Sequence, residues 1–311
     1  MKIVQIGTEE EGENHSRILS ELGVLSAICD IDYSKAKEYG EKYSVNHYDT
    51  LEKLLDSEEF EGVFIATSAF TDIEIITKFL EAKKHVFVEK PMTFKSEDGE
   101  KLVKLAEKKK VILTCGYIER FNPAVDIVKN IVREKKFGDL VMLEFHRENR
   151  MPPHIKDIGI IFDSSVHDID TANWIFDEMP IVVFAKAKKI KHEYEDFASI
   201  MLGYKNDRVA IISSNWVTPK KLRKFNAVCT DAIISSDSIT QETIIEKQDE
   251  TEIIQNKKQE PLQLEIQNFL GAIEGRNEHI IKSNEAVNVI KIAEAALLSS
   301  QKGIPIYLDL K

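Results

Sequence analysis

Lys90, Asp163 and His167 are the residues of this chain whose types and settings suit proton transfer. Lys90 closes the stretch Val86-Phe87-Val88-Glu89-Lys90-Pro91. Three apolar residues rich in β-branching predict a short buried strand. Proline cannot donate to a sheet ladder, so the strand stops there, and Lys90 is biased to an extended backbone. A lysine is thereby fixed at the carboxyl end of a strand, where open α/β sheets bind ligands. Partial desolvation there lowers the pKa of an amine toward the range of proton exchange. Taken alone, the stretch fits equally well a surface lysine at a strand end.

The second chemical stretch is Phe162-Asp163-Ser164-Ser165-Val166-His167-Asp168-Ile169-Asp170. Apolar residues at 162, 166 and 169 have helical spacing. Asp163, His167 and Asp170 then share a neighbouring face, one turn apart. An imidazole titrating near neutrality beside a carboxylate suits general acid–base work. An exposed acid–histidine pair fits the same spacing. His146 and His154 lie nearby, but no spacing matches a zinc site, so no metal is expected. Trp174 and Trp216 read as core or rim aromatics.

A third stretch opens the chain. Lys2 to Ile6 reads as a strand ending at Gly7; Gly12 follows, then helical spacing through Ile18, Leu19 and Leu22. A second apolar run, Val24 to Cys29, ends at Asp30. This is the order of a dinucleotide-binding unit, in which a helix N-terminus receives a pyrophosphate and the acid after the second strand meets ribose hydroxyls. The turn reads Gly7-Thr8-Glu9-Glu10-Glu11-Gly12 instead of G-x-G-x-x-G: Glu9 stands where the second glycine lets backbone approach phosphate. An ordinary βαβ unit with a turn glycine is the other reading.

The elements that must position these residues follow from periodicity. Helices are expected over Ser34–Tyr43, Leu51–Leu55, Asp72–Ala82 and Lys101–Lys109, with strands at Gly62–Thr67, Val86 and Val111–Tyr117. This alternation predicts a parallel, doubly wound sheet. After a turn at Arg120–Pro123 and a helix through Val132, strands dominate: Val141–Phe145, Ile181–Ala187, Ala198–Tyr204, Arg208–Trp216, Lys224–Thr230 and Ala232–Ser236. Short turns between them suggest a largely antiparallel open sheet. Two helices, Leu262–Ile273 and Asn284–Gln301, and a strand at Ile304–Leu308 close the chain. The expectation is α/β followed by α+β, with a dinucleotide-binding domain at 1–120, a substrate-binding and oligomerisation domain at 121–311, and a boundary near Gly116–Asn122.

A chain of 311 residues with 43% hydrophobic and 31% charged residues fits a soluble two-domain protein. Its net charge of −11 argues against nucleic-acid and anionic-membrane surfaces. No run has transmembrane length, and the chain enters its first strand without a signal peptide. Cys29, Cys115 and Cys229 read as buried free thiols of a cytoplasmic protein.

The chain resembles the glucose–fructose oxidoreductase, inositol dehydrogenase and rhizopine catabolism family (Gfo/Idh/MocA) over essentially its full length. The resemblance rests on Glu89-Lys90-Pro91, Ala66-Thr67-Ser68, Gly116-Tyr117-x-x-Arg120-Phe121-Asn122-Pro123 and Asp163-x-x-x-His167-Asp168-x-Asp170. It implies a Rossmann domain and an NAD(P)-dependent sugar or polyol dehydrogenase. Gly7, Thr8, Glu9, Gly12, Asp30, Ala66, Thr67, Glu89 and Lys90 would meet the cofactor. His167 would take the hydroxyl proton, Lys90 would hold the same oxygen, and Asp163 would orient His167. It also implies a homodimer or homotetramer through the open face of the antiparallel sheet. Asp30, followed by Ile31-Asp32-Tyr33 without an arginine, points to NAD over NADP.

Gly116–Asn122, Arg147–Asp163 and Asn215–Lys220 look like enzymes that oxidise UDP-N-acetylglucosamine, or its uronic acid, at the 3-position. Arg120, Asn122, Arg147, Arg150, Lys156 and Lys220 would then bind the sugar nucleotide, guanidinium forks suiting phosphate. The chain departs from the family at Glu9 and at Asp72, where many relatives have a histidine. The acidic turn leaves an alternative: a non-catalytic sugar-nucleotide binding or regulatory protein on a dehydrogenase scaffold.

Overall fold

The computed structural model describes residues 1–67, 72–152, 155 and 158–308, with Asp72 through its backbone only. The expectations for Ser68, His154, Lys156 and the Asp72 side chain lie outside the described residues. The chain divides into two compact units, Met1–Tyr117 with Leu262–Val287, and Ile118–Pro261 with Asn288–Lys311.

In the first unit β1 (Ile3–Ile6), α1 (Glu10–Glu21), β2 (Leu25–Cys29), α2 (Tyr33–Tyr43), β3 (Asn46–Tyr48), α3 (Leu51–Ser57), β4 (Gly62–Ile65), α4 (Asp72–Glu81), β5 (His85–Glu89), α5 (Ser96–Lys109) and β6 (Leu113–Gly116) alternate. The strands run parallel in the order β3-β2-β1-β4-β5-β6. The order reverses between β1 and β4, and a ligand crevice belongs at the carboxyl ends of that pair. Strands buried on both faces need continuous apolar runs, and β4 and β5 supply them: Val63, Phe64, Ile65, Val86, Phe87 and Val88 are fully buried. Phe64 stacks on Phe87 with centroids 4.6 Å apart. Phe269, from a helix near the other end of the sequence, meets both rings edge-on. Helix α5 begins five residues before the expected Lys101. Its first turn, Ser96-Glu97-Asp98-Gly99, carries acids that suit the helix dipole but no apolar spacing that a pattern could reveal.

In the second unit a 3-10 turn (Ile118–Phe121) leads into α6 (Pro123–Arg133). Then follow β7 (Leu140–Arg150), a π turn (Ile161–Ser165) continuous with α7 (Val166–Phe176), β8 (Val182–Lys188), β9 (Phe197–Gly203), β10 (Val209–Asn215), β11 (Val217–Cys229), β12 (Ile233–Asp237), β13 (Glu242–Glu246) and β14 (Thr251–Gln255). Helices α8 (Pro261–Ile273) and α9 (Ser283–Lys302) and β15 (Ile306–Tyr307) end the chain. The second sheet has the order β14-β13-β12-β11-β7-β10-β9-β8-β15. It is antiparallel except for β7 and β10, which run parallel. Strands β7 and β11 are longer than expected. The pairing of β11 with β7 slips between Val217 and Leu222, and this irregularity accommodates Pro219, which has no N–H to donate. The edge strand β14 is mostly exposed, and its neighbour β13 is short with acids at both ends, which hid them from the pattern. Helix α8 packs in the first unit, although its sequence position groups it with the second.

Among the described residues no helix is long and apolar enough to cross a membrane. Cys29, Cys115 and Cys229 are buried thiols outside any disulfide. Burial pushes the Cys29 thiol up to about 12 and the Cys229 thiol to about 11. Only thiolate reacts appreciably with aromatic disulfides. The native protein should therefore resist thiol modification at about pH 8 while the unfolded chain reacts fully. Rapid labelling of Cys29 or Cys229, followed by peptide mass spectrometry, would contradict this burial.

Candidate active site

The cofactor half is built at the β1–β4 switch. Gly7 follows β1 with φ +82°, and a Cβ there would stand 2.2 Å from the Ala66 carbonyl oxygen beyond β4. A Cβ on Gly12 would stand 2.1 Å from the Gly7 carbonyl oxygen. Both positions therefore require glycine, and together they seat the N-terminus of α1 against the sheet. Gln5, fully buried, donates from Nε2 to the carbonyls of Ile6 (2.9 Å) and Gly7 (3.0 Å) and holds the turn. Thr8 donates from its backbone N (2.9 Å) and its hydroxyl (2.6 Å) to Oδ2 of Asp30. Oδ1 of Asp30 accepts from the Asp32 backbone at 2.9 Å. The acid after β2 thus ties the turn to the strand: Oδ2 accepts twice from Thr8, and Oδ1, which accepts once, keeps a second lone pair for a hydroxyl donor.

Glu9 is the N-cap residue of α1, and its side chain makes no capping bond. It points outward: the side chain is 82% exposed, with Oε1 3.7 Å from Lys35 Nζ. The first turn of α1 leaves backbone N–H groups without intrahelical partners, at the positive end of the dipole. Missing Cβ atoms at two close approaches and the amide donors of a helix N-terminus fit a dinucleotide pyrophosphate. Asp30 fits its ribose, and Ala66, Thr67, Glu89 and Lys90 are at or just beyond the ends of β4 and β5. Because Glu9 faces away, Glu9→Gly should change the NADH dissociation constant by less than about threefold. Isothermal titration checks this; a tenfold tightening would show the glutamate occupying phosphate space.

The Lys90 end of β5 carries more charge than the sequence suggested. The peptide between Lys90 and Pro91 is cis. Oε2 of Glu89 accepts from the Lys90 backbone at 3.2 Å, and Oε1 lies 3.0 Å from Nε2 of His15. Gly116 makes room for this carboxylate, since a Cβ there would be 2.9 Å from Oε1. Glu11, in the first turn of α1, has its carboxyl pushed above the usual range, first by desolvation and then by the Glu89 carboxylate, against the pull of His15 and Lys90.

In the second unit the π turn contains Asp163 and α7 opens on Val166-His167. π turns of this kind recur at functional sites. Asp163 and His167 are each half-buried. Oδ2 of Asp163 accepts from the Ser164 hydroxyl at 2.8 Å, and the His167 carbonyl accepts from Thr171 at 2.8 Å. Asp170 leaves the expected shared face. It is buried in a two-point pair with Arg120, at 2.8 Å to Nε and 2.7 Å to Nη2.

Three residues read from the sequence as sugar-nucleotide ligands have internal partners instead. Arg120 is held by Asp170. Arg147, 7% exposed, donates from Nε and Nη2 to Asp168 and from Nη2 to Glu119 at 2.9 Å. Asn122 caps α6, accepting from the Ala124 backbone at 3.1 Å and donating to Glu119 and the Ser238 carbonyl. A guanidinium already forked onto buried carboxylates is not available to a diphosphate. Alternation along β7 carried this signal: Arg147 shares the inward face with buried Leu143 and Phe145. Arg150 and Lys220 are exposed on adjacent strands, where Val217 of β11 pairs with Arg150 at the end of β7.

The sequence reading missed Glu119, Arg223 and Glu195, and it named Asp168 without giving it a role. Burial would raise the Glu119 carboxyl, but the charges of Arg147 and Arg223 outweigh it and hold it low. Burial pushes Asp168 up against the pull of Arg147. Glu195 accepts from the Ile161 backbone at 3.4 Å, beside Gly159, whose added Cβ would stand 2.0 Å from Oε1. Burial raises its carboxyl.

Residues 1–117 match the family described as oxidoreductase family, NAD-binding Rossmann fold, and residues 125–235 match the GFO/IDH/MocA C-terminal domain. The chain belongs to the Gfo/Idh/MocA oxidoreductase family. It is 24% identical to a UDP-N-acetylglucosamine 3-dehydrogenase of Acidithiobacillus ferrooxidans, over 88% of each chain. It is 28% identical to a myo-inositol 2-dehydrogenase of Thermotoga maritima, over 69% of this chain and 68% of that one. The crystal structure of the WlbA dehydrogenase from Bordetella pertussis, in complex with NADH and UDP-GlcNAcA, superposes with a TM-score of 0.86 at 18% identity, covering 100% of this chain and 99% of that one. Membership makes this chain an NAD-dependent dehydrogenase with a Rossmann domain and a largely antiparallel second sheet, as the sequence led one to expect.

Proposed function

We propose that this Gfo/Idh/MocA member oxidises a UDP-N-acetylhexosamine, UDP-N-acetylglucosamine or its uronic acid, at C3. The observation that carries the reading is the pair of exposed cations Arg150 and Lys220 on adjacent strand ends, in a chain of net charge −11. Two such cations suit a diphosphate. With Arg120, Asn122 and Arg147 engaged internally, these two take the diphosphate role, together with Lys156. The relatives that act on or bind UDP sugars support the same substrate class.

Bound NAD supplies the hydride acceptor. The chain supplies the proton chemistry: His167 takes the proton of the sugar hydroxyl, Asp163 orients the imidazole, and Lys90 donates a hydrogen bond to the same oxygen as charge develops on it. Asp30 favours NAD over NADP, because a carboxylate accepts from ribose hydroxyls and repels a 2′-phosphate. The alternative of a non-catalytic binding protein rested on Glu9, and an outward-facing Glu9 leaves it without support. Incubating the protein with NAD and UDP-N-acetylglucosamine deuterated at C3 should place deuterium on the reduced cofactor. Reduced cofactor without deuterium would refute the position, and no reduction with either sugar would refute the substrate class.

The chain should also assemble as a homodimer or homotetramer through the outer face of its nine-stranded sheet. Met201 (43% exposed) and its register partner Ile211 (37%) are neighbouring apolar side chains left exposed on this sheet. Sedimentation of Met201→Lys beside the parent tests this; a monomeric parent would overturn it.

A further inference from the structure

We propose that His15 is a positioning residue that sets the charge environment of Lys90 through Glu89. The inference rests on the role given to Lys90 above. His15 lies on the face of α1 that packs on the sheet, in line with buried Ile18 and Leu19. It is 0% exposed, and its ring edges meet Phe64 of β4 (centroids 5.4 Å apart) and Phe87 of β5 (5.6 Å). A polar ring in such an apolar setting needs a partner. Nε2 has one, Oε1 of Glu89 at 3.0 Å. Nδ1, among the described residues, has none.

A proton on Nε2 follows. That proton is donated to the carboxylate, whereas a ring bare at Nε2 would bury an unpaired N–H at Nδ1 and set two acceptors facing. Glu89 is then fixed at both oxygens, by His15 on one and by the Lys90 backbone N–H on the other, over the space that Gly116 leaves. A carboxylate held in this way keeps the Lys90 ammonium favoured by a constant field. Glu11 of α1 is the other acid in the cluster, and it feels Glu89, His15 and Lys90 together. The histidine also sits three residues beyond Gly12, so the helix whose N-terminus faces the pyrophosphate carries the brace for the lysine.

The test reads Lys90 directly and needs no sugar. Trinitrobenzenesulfonate modifies neutral amines, so the pH profile of its attack on Lys90, followed by peptide mass spectrometry, gives a midpoint, with exposed Lys95 as internal reference. In His15→Phe the ring remains and the donor is lost. The Lys90 midpoint should fall by about half a pH unit or more while Lys95 stays in place. NADH affinity should stay within about threefold of the parent by isothermal titration, since the glycine turn is untouched. His15→Gln, whose amide nitrogen can reach the place of Nε2, should restore the parent midpoint. Glu89→Gln should reproduce the fall, and it decides the matter if His15→Phe does not fold. An unchanged Lys90 midpoint in His15→Phe or in Glu89→Gln would overturn the proposal. Because no turnover is read, that failure is separate from failure of the catalytic role of Lys90.

Discussion

Lys90→Met should lower turnover at least about a hundredfold, the usual loss when a positioned polar or proton-transferring group is removed from a reacting oxygen. That is roughly 2.7 kcal/mol of transition-state stabilisation. Methionine keeps the length and apolar stem of lysine, so the backbone at the end of β5 should be unchanged. The Glu89 carboxylate, held by His15 and the Lys90 N–H, does not depend on the Lys90 side chain for its position. NADH affinity should therefore change little, and the loss should appear in kcat. Steady-state rates with UDP-N-acetylglucosamine or its uronic acid, beside calorimetry with NADH, separate the two effects. Near-parent kcat in the variant would remove Lys90 from the chemistry.

Arg147→Met should destabilise the second unit by about 3–5 kcal/mol, because it leaves Asp168 and Glu119 as buried carboxylates without their shared cation. Both acids contact Arg147, and all three side chains are less than a tenth exposed. The remaining cation, Arg223, stands 3.8 Å from Glu119 and is 39% exposed, a weak substitute. Trp174 and Trp216 both belong to this unit, so urea unfolding followed by tryptophan fluorescence reports on it. Lys220→Met, an exposed site, should leave the urea midpoint in place and raise the KM of the sugar nucleotide. The opposite pattern, an unmoved midpoint with a raised KM for Arg147→Met, would return the guanidinium to the diphosphate.

Much of this is legible in the sequence alone. The alternation of apolar runs with helical spacing predicted the parallel sheet, and Gly7, Gly12 and Asp30 fell at its switch point because turn, close approach and strand end each demand one residue type. What escaped was the direction of side chains. The arginines of β7 and of the 3-10 turn look like phosphate ligands in a sequence; only the pleat and the helix opposite decide that Arg147 and Arg120 face inward to Asp168 and Asp170. His15 was missed although its spacing to Ile18, Leu19 and Leu22 marks it as core-facing. Glu9 misled in the other direction: sequence position set it in the phosphate loop, while its backbone angles turn the side chain to solvent. Helix α8 joins the first unit through Phe269, a pairing across about 200 residues of chain that no local pattern can announce.

The proposed reaction is the turnover of a UDP-N-acetylhexosamine with NAD. The most direct measurement is the growth of NADH absorbance when purified protein is mixed with NAD and each of the two sugar nucleotides, with the Lys90→Met variant in parallel. Many turnovers of NADH per protein chain are expected with at least one of them, faster with NAD than with NADP, and almost none with the variant. Tight binding of the sugar nucleotide with no NADH formed, or equal rates for parent and variant, would contradict it.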